Sequence, residues 1–340
     1  MEAGKDYPTN ISQYRAMFPT DADCLDYLDW LRFGDGFACP KCAVRGGTKQ
    51  ANGLYSCKDC GTKTSVTAGT IFARTQLPLS VWFEAAWLIT SAKSGTSAKA
   101  VQRQLGLHSY QTAWTMLHKY RTAMRTPDRK LLSGTVEVDE SFVGGYNKPG
   151  KTGRGASGKV LVGVMVEVNG KYAGRLRMSV LPDASATSLE QMLTSNIEPG
   201  SVVCSDGWSA YPKACANNYT LKPINVAQSG QPAHVSLPHV HRVAALYKRF
   251  WLGTLQGGVK PEHLQSYLDE FVFRFNRRTS RHPGLLFYRL LQNCVATLPT
   301  SYKQIVANPG QAKRITPSAP TSRNLTGSAT LDPMNRPWRK

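Results

Sequence analysis

Two cysteine pairs, Cys39-Pro-Lys-Cys42 and Cys57-Lys-Asp-Cys60, constrain this 340-residue chain more than any other feature. Each is a CxxC knuckle whose thiolates can reach one tetrahedral ion, and the glycines Gly46, Gly47 and Gly53 between them suit a short hairpin. Residues 39 to 60 therefore read as a zinc ribbon, with Cys39, Cys42, Cys57 and Cys60 as ligands of a structural Zn2+. The competing reading, a redox dithiol, needs only one pair. Cys24, Cys204, Cys215 and Cys294 lack ligand spacing and read as small buried residues in a reducing compartment.

Charge indicates the partner. Lys and Arg number 42 against 22 Asp and Glu, a net charge of +20 and a pI near 9.7. A surplus of this size favours a polyanion, because neutralising phosphates releases condensed counterions. Nucleic acid is the expected partner. The chain has no apolar run of the roughly 18 residues a membrane span needs, and its N-terminus, Met-Glu-Ala-Gly-Lys-Asp, has no apolar signal core. The expectation is a soluble, cytoplasmic protein.

The pattern of apolar residues divides the chain. Leu25, Leu28, Trp30 and Leu31 mark a helix that braces the ribbon. A helical segment follows Pro78, with Ser80 as its expected N-cap. Ser97–Leu105, a turn at Gly106, and a second helix capped by Ser109 have the layout of a helix-turn-helix. On that second helix, Ser109, Tyr110, Gln111, Lys119 and Arg121 are the expected DNA contacts, although an ordinary helical hairpin has the same layout.

From residue 131 the period changes to alternation. Thr135–Val143, Val160–Val168 and Gly174–Leu181 read as a three-stranded meander, the last two joined at Asn169-Gly170. A helix around Ser188–Leu193 then leads to a strand at Ser201–Ser205, expected to add a parallel edge. This is the element order of a ribonuclease-H-like α/β domain. Leu264, Tyr267, Leu268, Phe271 and Phe275 mark a long amphipathic helix beyond it.

The expected chemistry follows from what this frame carries. Asp139 lies mid-way along the first strand and Asp206 at the tip of the fourth, where their carboxylates can share a divalent metal. His241 sits just inside a helix announced by Ser236 and Pro238, and Lys248 lies seven residues later on the same helical face. Three metal-reaching groups and one cation around a cleft suit two-metal phosphodiester chemistry. Glu140 alternates to the opposite strand face and reads as structural, while His239 and Glu262 compete with His241 as third ligand. Lys148, Lys151 and Arg154 in a glycine-rich loop, Arg249, and Arg277 and Arg278 in a basic cluster complete the expected DNA contacts.

At Val138-Asp139-Glu140-Ser141-Phe142-Val143-Gly144-Gly145, Ser205-Asp206-Gly207-Trp208, His239-Val240-His241-Arg242-Val243, Lys248 and the segment His263–Arg278, the chain resembles a known family. The likeness is to DDE-type insertion-sequence transposases of the zinc-ribbon-bearing, Merlin-related group, with an ISXO2-like transposase domain. The ribbon and the run Thr64–Phe72 fit the same group. The resemblance implies an enzyme that binds the terminal inverted repeats of its element, cleaves phosphodiesters there and joins the 3′-hydroxyls to target DNA. It also implies catalytic Mg2+, a homodimer or higher multimer on paired ends, and a nucleoid-associated bacterial setting. The usual third acid is Glu; His241 stands at its spacing, and imidazole suits Mn2+ better than Mg2+. A domesticated DNA-binding protein without chemistry and a nuclease without strand transfer are the alternatives.

The expected organisation is a helical brace and zinc ribbon over 1–75, a helix-turn-helix region over 76–130, a ribonuclease-H-like domain over 131–305, and a disordered basic tail over 306–340.

Overall fold

The computed structural model describes residues 1–125, 129–144, 159–224 and 236–307. The chain forms two compact units. Met1–Met124 joins with the segment from Ser280 onward, and Arg125–Thr279 forms the second. The expected ribonuclease-H-like domain extends to residue 305. The structure corrects this, because the helix Pro283–Val295 packs Phe287 into an aromatic core with Tyr14, Phe18, Phe83 and Trp87 of the first unit. Gly284 is required at that contact, since a Cβ there would lie 1.5 Å from the Pro8 carbonyl oxygen.

In the first unit, α1 (Ile11–Met17) is capped by Asn10, and α2 (Asp21–Phe33) by a capping box of Thr20 and Asp23. Three short antiparallel strands follow: β1 (Gly47–Lys49), β2 (Tyr55–Cys57) and β3 (Lys63–Thr64). α2 does brace them. Asp29 accepts from Lys49 Nζ at 2.5 Å and from the Tyr55 hydroxyl at 2.9 Å, and Arg32 donates to the Ser65 and Val66 carbonyls.

α3 (Leu79–Ser91) starts two residues earlier than expected, so Ser80 lies inside it. Its cap comes from α2 instead: the Asp21 carboxylate accepts from the amides of Leu79 (3.0 Å) and Ser80 (2.9 Å). α4 (Ala98–Gln104) is capped by Ser97, and the chain turns at Gly106, whose φ of +61° an L side chain rarely adopts. α5 (Tyr110–Met124) follows, with the Ser109 hydroxyl accepting from the Gln111 amide at 3.1 Å.

The second unit is built on β4 (Thr135–Val143), β5 (Val160–Asn169) and β6 (Tyr172–Leu181), then α6 (Ala186–Asn196) and β7 (Val202–Ser205). Next come α7 (Tyr211–Cys215) and β8 (Thr220–Pro223). The sheet order is β6-β5-β4-β7-β8, with the first three strands antiparallel and β7 and β8 parallel to β4. β7 is therefore interior and β8 forms the edge, which corrects the expected edge position. Thr220-Leu221-Lys222-Pro223 is too short and too polar to announce a strand.

Alternation along β4 separates two cores. Val136 and Val138 pack with Leu189, Leu193 and Tyr211 on one face. On the other face, Val143 packs with residues of α8 (Pro238–Leu255) and α9 (Leu264–Phe275), including Val240, Val243, Leu268 and Val272. α9 buries Leu264, Tyr267, Leu268 and Phe275 as expected, and also Asp269 and Glu270. Of the tail expected from 306, all but Val306 and Ala307 lies outside the described residues; those two end a short helix, Tyr302–Ala307.

Candidate active site and metal centre

The ribbon brings its four thiols together as the spacing predicts. All four Sγ atoms lie within 4.8 Å of one another, with Cys39–Cys60 and Cys42–Cys57 each at 3.6 Å. Tetrahedral zinc with Zn–S near 2.3 Å places its thiolates roughly 3.8 Å apart, so the donor set fits Zn2+ in both chemistry and size. The two knuckles share one backbone design. The amides of Ala43 and Gly61 donate back to the carbonyls of Cys39 and Cys57, and both residues take left-handed φ near +60° and +66°.

The acidic site is built by the register of the central strands. β4 and β7 pair in parallel with Glu137 opposite Cys204, and continuing that register by two residues brings Asp139, mid-way along β4, beside Asp206, just past the end of β7. Asp206 is held by its own turn. Gly207, at φ +82°, lets the Trp208 amide donate to Asp206 Oδ1 at 3.1 Å, while the Trp208 indole is anchored on the Ala184 carbonyl. From α8, His241 places Nδ1 at 3.8 Å from Asp139 Oδ2.

The electrostatics of Asp139 register the other expected site residues. Burial pushes the Asp139 carboxyl above its ordinary value; His241 opposes this, the Asp206 carboxylate adds to it, and the Glu140 amide and Lys248 pull it down. A carboxylate under that combination of burial and like charge gains from a cation placed between it and Asp206. Among the described residues, the cysteines are the one set of three or more His, Cys, Asp or Glu whose ligand atoms all lie within 4.8 Å of one another; Asp139, Asp206 and His241 do not form such a set. Two neighbouring carboxylates are oxygen donors of the kind Mg2+ or Mn2+ takes, with waters and phosphate oxygens as further ligands.

Other expected residues fall elsewhere. Glu140 faces away, accepting from the Tyr211 hydroxyl, and Glu262 is exposed in a 3-10 turn (Pro261–His263). Sequence reasoning missed Glu137. Its carboxylate, 6% exposed, accepts from the amides of His239 (2.8 Å) and Val240 (2.9 Å) at the start of α8. The available signal was its position two residues before Asp139, on the same face of the strand.

The expected DNA contacts are also unequal. Ser109, Gln111 and Lys119, with Thr75, Trp82 and Thr115, line a groove of about 370 Å³, and Tyr110 is 51% exposed. Lys119 turns inward, with Nζ near the Ile71 carbonyl and over the Trp82 ring, and burial draws its ammonium below its ordinary value. Arg121 is 1% exposed, so, contrary to expectation, it does not face a DNA surface. Arg249 and Lys248 are exposed on α8. Arg277 and Arg278 stack on Phe273 and Phe275 and donate to backbone carbonyls near the end of α9. Lys148, Lys151 and Arg154 lie outside the described residues. No helix among the described residues is long and apolar enough to cross a membrane.

Comparison with known proteins agrees with this division. Residues 131–276 match the ISXO2-like transposase domain, and residues 19–63 match the transposase zinc-ribbon domain, which includes α2. The chain is also 27% identical over 290 residues to an uncharacterized protein in transposable element ISH50 of Halobacterium salinarum, covering 78% of this chain and 94% of that protein.

Proposed function

Because the chain belongs to the ISXO2-like transposases, carrying both their zinc ribbon and their transposase domain, we propose that it binds the terminal inverted repeats of an insertion sequence. It cleaves phosphodiesters at the element's ends and transfers the 3′-hydroxyls to target DNA, acting as a multimer on paired ends. The observation that carries this reading is His241 Nδ1 at 3.8 Å from Asp139 Oδ2, on a strand whose register puts Asp206 beside Asp139. The order β6-β5-β4-β7-β8, with its parallel outer pair, supports a ribonuclease-H-like frame.

In this mechanism Asp139 and Asp206 would hold the divalent cation, with His241 as its third protein ligand. When bound, Mg2+ or Mn2+ supplies activation of a water or 3′-hydroxyl and stabilisation of the leaving oxygen. The Gly207-Trp208 turn fixes the Asp206 carboxylate before DNA arrives. Lys248, about two turns beyond His241 on the same helical face, neutralises the scissile phosphate. α4 and α5 form the helix-turn-helix that reads the ends, with Ser109, Tyr110 and Gln111 leading into the major groove.

The test separates binding from chemistry. Asp139→Asn and Asp206→Asn abolish cleavage of labelled ends while leaving end binding intact, and His241→Ala loses most cleavage. Loss of binding in both aspartate variants marks those residues as structural and removes the proposed site.

A further inference from the structure

We infer that Glu137 is a positioning residue of the acidic site, acting through the α8 helix that carries His241; the inference rests on the transposase reading above. Two independent features of the fold fix its carboxylate. β4 is held between β5 and β7, with Glu137 paired to Val166 on one side and Cys204 on the other, so its height relative to Asp139 and Asp206 cannot drift. Alternation places it on the face that α8 covers, the face shared by Asp139.

There its oxygen accepts two amides of the first helical turn, His239 at 2.8 Å and Val240 at 2.9 Å. Among the described residues the helix has no other side-chain cap: Leu237 occupies the N-cap position and Pro238 follows it without a donor. A carboxylate on a helix N-terminus is favoured by both hydrogen bonding and the helix dipole. The consequence is geometric. One strand carries Asp139 and, two residues earlier, the anchor for the helix that brings His241 to 3.8 Å from it. The strand thus sets the distance between two proposed ligands that lie about a hundred residues apart in the chain.

Supporting groups of this kind typically change metal affinity or activity by roughly 10- to 100-fold when removed. The test uses the full-length protein with Glu137→Ala and the milder Glu137→Gln, which keeps one acceptor oxygen. Mn2+ affinity is measured directly by electron paramagnetic resonance, amide hydrogen exchange is followed at residues 239–243, and single-turnover cleavage is measured on pre-bound ends. Glu137→Ala is expected to speed exchange in that turn, weaken Mn2+ binding by about 10-fold or more, and slow cleavage similarly with end affinity unchanged; Glu137→Gln recovers part of each. In a His241→Ala background, Glu137→Ala should add little.

Unchanged exchange overturns the inference, as does faster exchange with wild-type Mn2+ affinity and cleavage. Additive losses in the double variant overturn it too, and should Glu137→Ala not fold, Glu137→Gln decides by the same measures. Wild-type protein that binds Mn2+ but never cuts its ends sinks the transposase reading, and the exchange and Mn2+ results still decide the role of Glu137.

Discussion

Removing zinc should unfold the ribbon. Among residues 37–64, Phe37 is the one large apolar side chain that is buried; Cys39 and Cys57 are the other buried apolar residues, and both are proposed ligands. Burying a phenylalanine contributes about 1.5–3 kcal/mol. A structural zinc in finger-like segments contributes about 10–16 kcal/mol at neutral pH, several times more. The strands are only three, three and two residues long, so their ladders cannot make up the difference. The assay is metal analysis of protein purified without chelators, followed by limited tryptic digestion with and without EDTA. One zinc per chain is expected, and chelation should open Lys41, Arg45, Lys49, Lys58 and Lys63 to cleavage. Substoichiometric zinc, or one digestion pattern under both conditions, refutes the reasoning.

Two further outcomes follow from particular contacts. Asp21→Ala removes the cap that α2 lends to α3 and should cost about 0.5–2 kcal/mol by thermal unfolding. Burial raises the Asp21 pKa, but its bonds to Ser80 and Leu79 outweigh that and leave it below the ordinary 3.8. A depressed carboxyl gives stability that is present above pH 3.8 and lost as pH falls through the lower folded value, so the benefit of Asp21 over Asn should vanish in that acid window. On DNA, Arg249→Ala should reduce the slope of log affinity against log salt by about one, whereas a salt slope lowered by Arg121→Gln would contradict the burial of Arg121.

What the sequence made legible was local. Paired knuckles set the ribbon because a CxxC places two thiolates by itself, and the alternation of Val136, Val138 and Asp139 placed the acid on a strand. The Gly106 and Asn169-Gly170 turns were readable because they need backbone shapes that few residues adopt. The failures were contacts between segments distant in the chain. Asp21 capping α3 and Glu137 capping α8 left Ser80 and Ser236 looking like caps. Arg121 looked like a surface cation because helical spacing does not say which face packs inward. The return of Pro283–Val295 to the first unit carries no local signal at all.

Incubating the purified protein with labelled element ends, target DNA and either Mg2+ or Mn2+ tests the central claim most directly. The account predicts metal-dependent nicks that leave 3′-hydroxyls at the ends, together with end–target joined products, neither of which Asp139→Asn forms. Tight end binding without cleavage in either metal would contradict it and leave a DNA-binding protein without chemistry.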